Sequence, residues 1–276
     1  LNNRPIGIFD SGVGGLTVVG AVLEHLPEED IIYYGDTARF PYGPKDLGDV
    51  RDFVFEIAQY LIDQGVKIIV IACNTGTAAG LVDAQKRFAV PIIGVVEPGA
   101  RGAVLATVNR KVGVIGTEGT ISSGTYQKAI EALDAGIKVT AQACPRFVEF
   151  AERGETEGPA VSAIAEEYLA PLTANGVDTV ILGCTHYPLL KEVIQKTMGP
   201  EVKLISSATE TAAEVEENLV RRGHLREKNG APTHRFIVSG DTASVNDLVK
   251  RFLGRDGERV EQVVISTGGE TERLGD

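Results

Sequence analysis

The sequence predicts an α/β protein built on mainly parallel sheets. Three observations carry that expectation. Short β-branched runs alternate with helix-period stretches along nearly the whole chain, several runs are continuously apolar, and one segment pattern occurs twice. Alternating strands and helices read as βαβ units. Runs such as IIVIA (68–72) and TVILG (179–183) present no polar face, as strands buried on both sides of a parallel sheet require.

In chain order, strands are expected at 6–9, 31–34, 67–72, 92–94, 111–115, 137–141, 178–182, 202–205, 235–238 and 260–264. They are short runs rich in β-branched residues. Between them, apolar residues recur at helical spacing over 15–26, 47–63, 123–133, 159–174 and 210–222. The tail 268–276 is polar and aperiodic, and is expected to fray.

KIIVIACNTGTA (67–78) and DTVILGCTHYPL (178–189) share one order: a charged residue, an apolar strand, a small residue, cysteine, a threonine-containing loop, a helix. PIGIFDSGVGG (5–15) is echoed by KVGVIGTEGT (111–120) at nearly the same offset. The chain therefore reads as two related α/β units. If they face one another, the two cysteines share a cleft.

Composition narrows the function. A formal net charge of -11, with no cluster of Lys or Arg, argues against a nucleic-acid surface. A small anionic substrate stays open, because local donors outweigh net charge inside a pocket. No apolar run approaches the ~20 residues of a membrane span. The first strand follows the N-terminus so closely that no signal peptide is expected. Three cysteines, an odd count without close pairs, do not make a disulfide framework, so reduced thiols in the cytoplasm are expected.

In open α/β sheets, ligands bind beyond the carboxyl ends of the strands. Asp10, Ser11, Cys73, Asn74, Thr75, Cys184, Thr185 and His186 all lie just after an expected strand. A lone free cysteine is usually a small buried hydrophobe, and Cys144, followed by Pro145, is read that way. Two cysteines at equivalent points of a repeat, each with polar neighbours, point to chemistry instead. Zinc would need more ligands than His186 supplies, and no C-x-x-C spacing exists. A disulfide switch would be unusual in a reducing compartment. A cysteine nucleophile with a histidine base leaves one thiol unexplained. Racemisation uses both thiols, one removing the α-proton and the other delivering a proton to the opposite face. An unperturbed thiol pKa of about 8.5 keeps both protonation states accessible. Asp10 and His186 are placed to tune Cys73 and Cys184 respectively.

DSGVGGL (10–16) joins a strand to a helix through three glycines, so its backbone N–H groups are expected to cradle an anion. A dinucleotide loop fits poorly, although Asp36 stands where a ribose-binding acid belongs. Thr17 occupies the third glycine position, and Asp10 would set a carboxylate beside a pyrophosphate. PYG (41–43) reads alone as a turn whose Tyr42 and backbone amides can meet a carboxylate.

DSGVGGL (10–16), PYG (41–43), ACNTGTA (72–78) and GCTHYPLL (183–190), in that order, resemble the glutamate racemases of the aspartate/glutamate racemase superfamily. GVVEPGA (94–100) and CPRFVEFAERG (144–154) support the resemblance, which covers 5–265. It implies two similar α/β domains related by pseudo-symmetry, one of 1–96 plus 207–276 and one of 97–206, with the active site in the cleft between them. It implies interconversion of L- and D-glutamate with no cofactor and no metal, supplying D-glutamate for the bacterial cell wall, and a homodimer. Cys73 would serve D-glutamate and Cys184 L-glutamate. Asp10 would support Cys73; His186 and Glu152 would support Cys184, with Glu149 and Glu155 as neighbouring candidates. Substrate contacts carry over to Asp10, Ser11, Pro41, Tyr42, Gly43, Asn74, Thr75, Thr185 and His186. Three rival readings remain. One is a superfamily racemase for aspartate or a hydantoin, one is a hinged amino-acid-binding module, and one is a pyridoxal enzyme. The last lacks a strand-end lysine in these motifs.

Overall fold

The computed structural model describes residues 2–227, 230–242, 245, 249, 252–253, 259–265 and 271–273. The larger sheet contains β1 (Ile6–Asp10), β2 (Ile31–Gly35), β3 (Ile68–Ile71), β4 (Ile92–Gly94), β9 (His234–Val238), β10 (Val260–Ile265) and β11 (Thr271–Arg273). The smaller contains β5 (Lys111–Gly116), β6 (Lys138–Ala143), β7 (Thr179–Gly183) and β8 (Lys203–Ser206). Their orders are β11-β10-β9-β2-β1-β3-β4 and β6-β5-β7-β8. Every pairing is parallel except β10 with β11.

All ten expected strands form, within a residue or two at their ends. The eleventh, β11, falls inside the tail that was expected to fray. Thr-Glu-Arg carries no apolar alternation, and its pairing with Val263, Val264 and Ile265 of β10 is what marks it as a strand. The rest of that tail lies outside the described residues.

The repeat is visible in the topology. The order β2-β1-β3-β4 is matched strand for strand by β6-β5-β7-β8. Ile6 pairs with Ile68 and, one unit later, Val112 pairs with Thr179. The loops leaving β3 and β7, which carry the two cysteines, are therefore equivalent.

Side chains alternate across each sheet, as the two-residue strand period demands. In β3, Ile68 and Val70 join one core while Ile69 and Ile71 join the other. The first core is closed by α1 (Leu16–His25) and α10 (Ser207–Arg222), the second by α2 (Leu47–Asp63) and α3 (Asn74–Arg87). Around the smaller sheet, α7 (Arg146–Arg153), α8 (Pro159–Ala174) and α9 (Lys191–Met198) cover one face. The other face is covered by α4 (Val96–Ala106) and α6 (Thr125–Leu133), and α5 (Glu118–Ser122) leads into α6. Full burial of each such Ile, Leu or Val is worth about 1.5–3 kcal/mol. Two helices exchange partners: α4 leaves β4 of the larger sheet but packs on β7 and β8, and α10 leaves β8 but packs on α1. Among the described residues, no helix is long and apolar enough to cross a membrane.

Candidate active site

One cavity of ≈ 320 Å³, its open mouth included, is lined by both Cys73 and Cys184. That is the lower end of the range for small-ligand pockets. Ser11, Asn74, Thr75, Thr185 and His186 surround the sulfurs, and 41–43 forms another wall. Gly183, which opens the GCTHYPLL motif, also lines it, as do Phe40, Thr117 and Val148, which were not site candidates.

Cys73 is the N-cap of α3, and its sulfur accepts the Gly76 N–H at 3.3 Å. Burial, reinforced by the negative charge of Asp10, pushes the Cys73 thiol up to about 12. It is therefore protonated near neutrality. Cys184 sits between β7 and a short 3₁₀ turn, with His186 Nδ1 3.8 Å from its sulfur. Burial opposes charge on the imidazole, but hydrogen bonding to Cys184 and Glu152 and the charges of Cys184 and Asp10 outweigh it. The His186 pKa is held at about 10, so the ring is cationic near neutrality.

Glu152 does not reach the cavity wall; its Oε1 lies 3.4 Å from His186 Nε2. Glu149 and Glu155 are more exposed, with side chains 63% and 50% accessible, and both face Arg153. Of the three carboxylates, Glu152 is the one next to His186. In α7, Glu152 follows Val148 by one helical turn, and Val148 lines the cavity.

Asp10 lies behind the wall, fully buried. Its Oδ2 accepts the Gly15 N–H at 3.0 Å and the Gly12 N–H at 3.3 Å. The expected anion cradle is thus corrected: Asp10 itself supplies the anion for those donors. The glycines serve close approach instead. A Cβ on Gly12 would meet the Phe40 ring at 2.8 Å, and one on Gly14 would meet Thr185 Oγ1 at 2.5 Å and His186 at 2.6 Å. Burial raises the Asp10 pKa, against the pull of His186 and of those amides.

The 41–43 wall is built through Asp36. Its carboxylate accepts the Tyr42 hydroxyl, Arg39 Nε at 2.6 Å and Ser239 Oγ at 2.8 Å. The Tyr42 phenol is engaged there, so this segment offers the cavity its ring and backbone. Gly43 O accepts the Gly119 N–H at 2.9 Å, and Thr75 Oγ1 meets Thr117 Oγ1 at 2.8 Å and Thr120 Oγ1 at 3.1 Å. These bonds join the two sheet units at the rim. Cys144, fully buried, lies outside the cavity wall and points its thiol at Gln142 O, 3.6 Å away.

Among the described residues, the buried polar atoms without a hydrogen-bond partner include two at this site, Asp10 Oδ1 and Asn74 Nδ2. Leaving such a group unmatched costs about 1–3 kcal/mol, so hydrogen-bonding capacity here is held for a ligand. An acceptor and a donor beside two sulfurs suit a small zwitterion. Among the described residues, no group of three or more His, Cys, Asp or Glu gathers with metal-binding geometry.

Residues 16–215 match the family model described as Asp/Glu/Hydantoin racemase. A glutamate racemase of Corynebacterium diphtheriae is 51% identical over 262 residues, covering 95% of this chain and 98% of that protein. A crystal structure of a glutamate racemase isoform from Bacillus anthracis superposes with a TM-score of 0.92 at 43% identity, covering 95% and 98% of the two chains. The glutamate racemase of Francisella tularensis, crystallised with D-glutamate, gives 0.90 at 38% identity with the same coverage.

Proposed function

The chain belongs to the Asp/Glu/hydantoin racemase family, and we propose that it interconverts L- and D-glutamate by a two-base mechanism, supplying D-glutamate for the bacterial cell wall. The observation that carries the mechanism is the pair of sulfurs lining one cavity in unlike surroundings. Cys73 is held as a thiol, and cationic His186 stands beside Cys184.

L-Glutamate enters with its α-hydrogen toward Cys184 and its α-carbon between the sulfurs. The Cys184 thiolate takes the α-proton, the electron pair is left on the α-carbon and its carboxylate, and the Cys73 thiol gives its proton to the opposite face. D-Glutamate leaves a Cys184 thiol and a Cys73 thiolate, and the same steps run backward from D-glutamate. Asn74 Nδ2 and the Ser11, Thr75 and Thr185 hydroxyls bind the carboxylates. Asp10, behind the wall, supports Cys73. His186, oriented by Glu152, supports Cys184. The 41–43 wall closes the site through backbone and ring.

A division into two domains, 1–96 with 207–276 and 97–206, belongs to this reading, supported by the two sheets. So do a cytoplasmic setting, where thiols stay reduced, and a homodimer, which sedimentation would read.

The test is L-glutamate in deuterated water, followed by α-deuterium and optical rotation, with wild type and with Cys73→Ala and Cys184→Ala. Wild type is expected to exchange and racemise, and neither variant to racemise. Binding without exchange would leave a binding module, and recovery of dialysed protein by added pyridoxal phosphate would overturn the mechanism. A panel including aspartate, scored by chirality, fixes the substrate.

A further inference from the structure

Tyr126, the second residue of α6, is 1% exposed and belongs to none of the motifs above. Its ring touches the strand end that carries Cys184: a Cβ on Gly183 would stand 3.1 Å from Tyr126 Cε2. Its hydroxyl reaches across to the residue after Cys73, donating to Asn74 Oδ1 at 2.7 Å. Ser207, at the start of α10, stands close by: a Cβ on Gly99 would meet Ser207 Cβ at 3.2 Å and the Tyr126 hydroxyl at 3.3 Å.

The Tyr126–Asn74 bond sets which way the Asn74 amide faces. With Oδ1 holding the phenol proton, Nδ2 is left as the buried end without a partner, on a residue that lines the cavity. Turned over, the amide would set an acceptor against the substrate carboxylate. We infer that Tyr126 is a positioning residue, which locks the Asn74 amide with its N–H₂ group toward the substrate carboxylate. The inference rests on the proposed glutamate reading of the cavity. It also explains a buried phenol next to both cysteine loops: it acts through Asn74 and takes no proton from the substrate.

Tyr126→Phe keeps the ring against Gly183 and removes only the hydroxyl, so the fold is retained, as a thermal midpoint would verify. The experiment is a double-mutant cycle on the full chain: wild type, Tyr126→Phe, Asn74→Ala and the double variant. Each is titrated calorimetrically with racemic glutamate, whose composition turnover leaves unchanged, and each is assayed for racemisation. Loss of one oriented hydrogen bond predicts binding weakened about 5- to 30-fold by Tyr126→Phe when Asn74 is present. With Asn74→Ala in place, the same change should matter less than about twofold. An equal effect in both backgrounds, or none in either, beside a wild type that racemises glutamate, removes this inference and leaves the function standing. A wild type that neither binds nor racemises glutamate removes both.

Discussion

His186 Nδ1 stands 3.8 Å from the Cys184 sulfur, whereas the Cys73 sulfur meets neutral groups, Ser11 Oγ at 3.6 Å and the Gly76 N–H at 3.3 Å. Two sulfurs at equivalent points of a repeat are thereby made unlike, one beside a cation and one beside neutral partners and the buried Asp10. A two-base reaction needs that difference at the outset, because two thiols or two thiolates would stall it.

The His186 proton should be visible in both activity and stability. Its pKa of about 10 in the folded protein lies above the ~6.5 of a free histidine. The folded state therefore holds this proton across a window in which the unfolded chain has released it. Its contribution to stability is complete below about 6.5 and is lost as pH rises through about 10. The thermal midpoint of wild type should exceed that of His186→Asn most at pH 6, and the gap should close toward pH 10. The variant should lose roughly 10²–10⁴-fold in kcat/KM. It should also lose the part of the alkaline decline that does not come from the glutamate ammonium. A gap that widens with pH would put the proton elsewhere.

Gly14→Ala should damage catalysis far more than folding. The new Cβ would fall 2.6 Å from His186 Cε1 and Nδ1 and 2.5 Å from Thr185 Oγ1, so the 185–186 loop must move. A displacement of about 1 Å at a positioned group can cost ~10²-fold in rate. Steady-state kinetics beside a urea melt checks this: kcat falling by about that factor with a midpoint near wild type is the expected result.

The glycine loop also marks the limit of what a sequence discloses. Gly12, Gly14 and Gly15 announce positions where a side chain cannot fit, but not what stands opposite. A ligand was the expectation; the occupants are Phe40, Thr185, His186 and Asp10 itself. Ten strands were legible because Ile and Val concentrate in them, and Thr271–Arg273 was not, having only its pairing with β10 to define it. The cysteines were legible through the repeat, since equivalent strands place equivalent loops. Thr117 and Tyr126 were not, because they reach the site from helix starts whose local pattern is ordinary. Only the packing of the two sheet units brings them to Thr75 and Asn74.

Far from the cavity, Lys67 Nζ is fully buried against Glu29 at 2.5 Å and donates also to Asn2 O at 2.8 Å and His224 O at 2.9 Å. All three ammonium protons are matched, and burial, working against Glu29, lowers the lysine pKa. Lys67→Met would leave the Glu29 carboxylate buried without its cation, a loss of about 3–5 kcal/mol. Adding Glu29→Leu should restore part of it, the remainder reflecting the Arg226 N–H that Glu29 also accepts. Urea unfolding of the two variants measures both steps, and a single variant as stable as wild type would contradict the pairing.

Racemisation also imposes a constraint that no asymmetry of the site can break. L- and D-glutamate have equal free energies in water, so their equilibrium constant is unity. At any pH, kcat/KM measured from L-glutamate must then equal kcat/KM measured from D-glutamate. The unlike settings of Cys73 and Cys184 can appear only in kcat and KM separately, both shifted by the same factor between enantiomers. Progress curves run from each pure enantiomer test this for wild type, His186→Asn and Gly14→Ala. The two specificity constants should fall together in every variant while their ratio stays at unity. A ratio that moves with a substitution would show that the measured flux is not a closed interconversion of two enantiomers, and the two-sulfur mechanism would lose its basis.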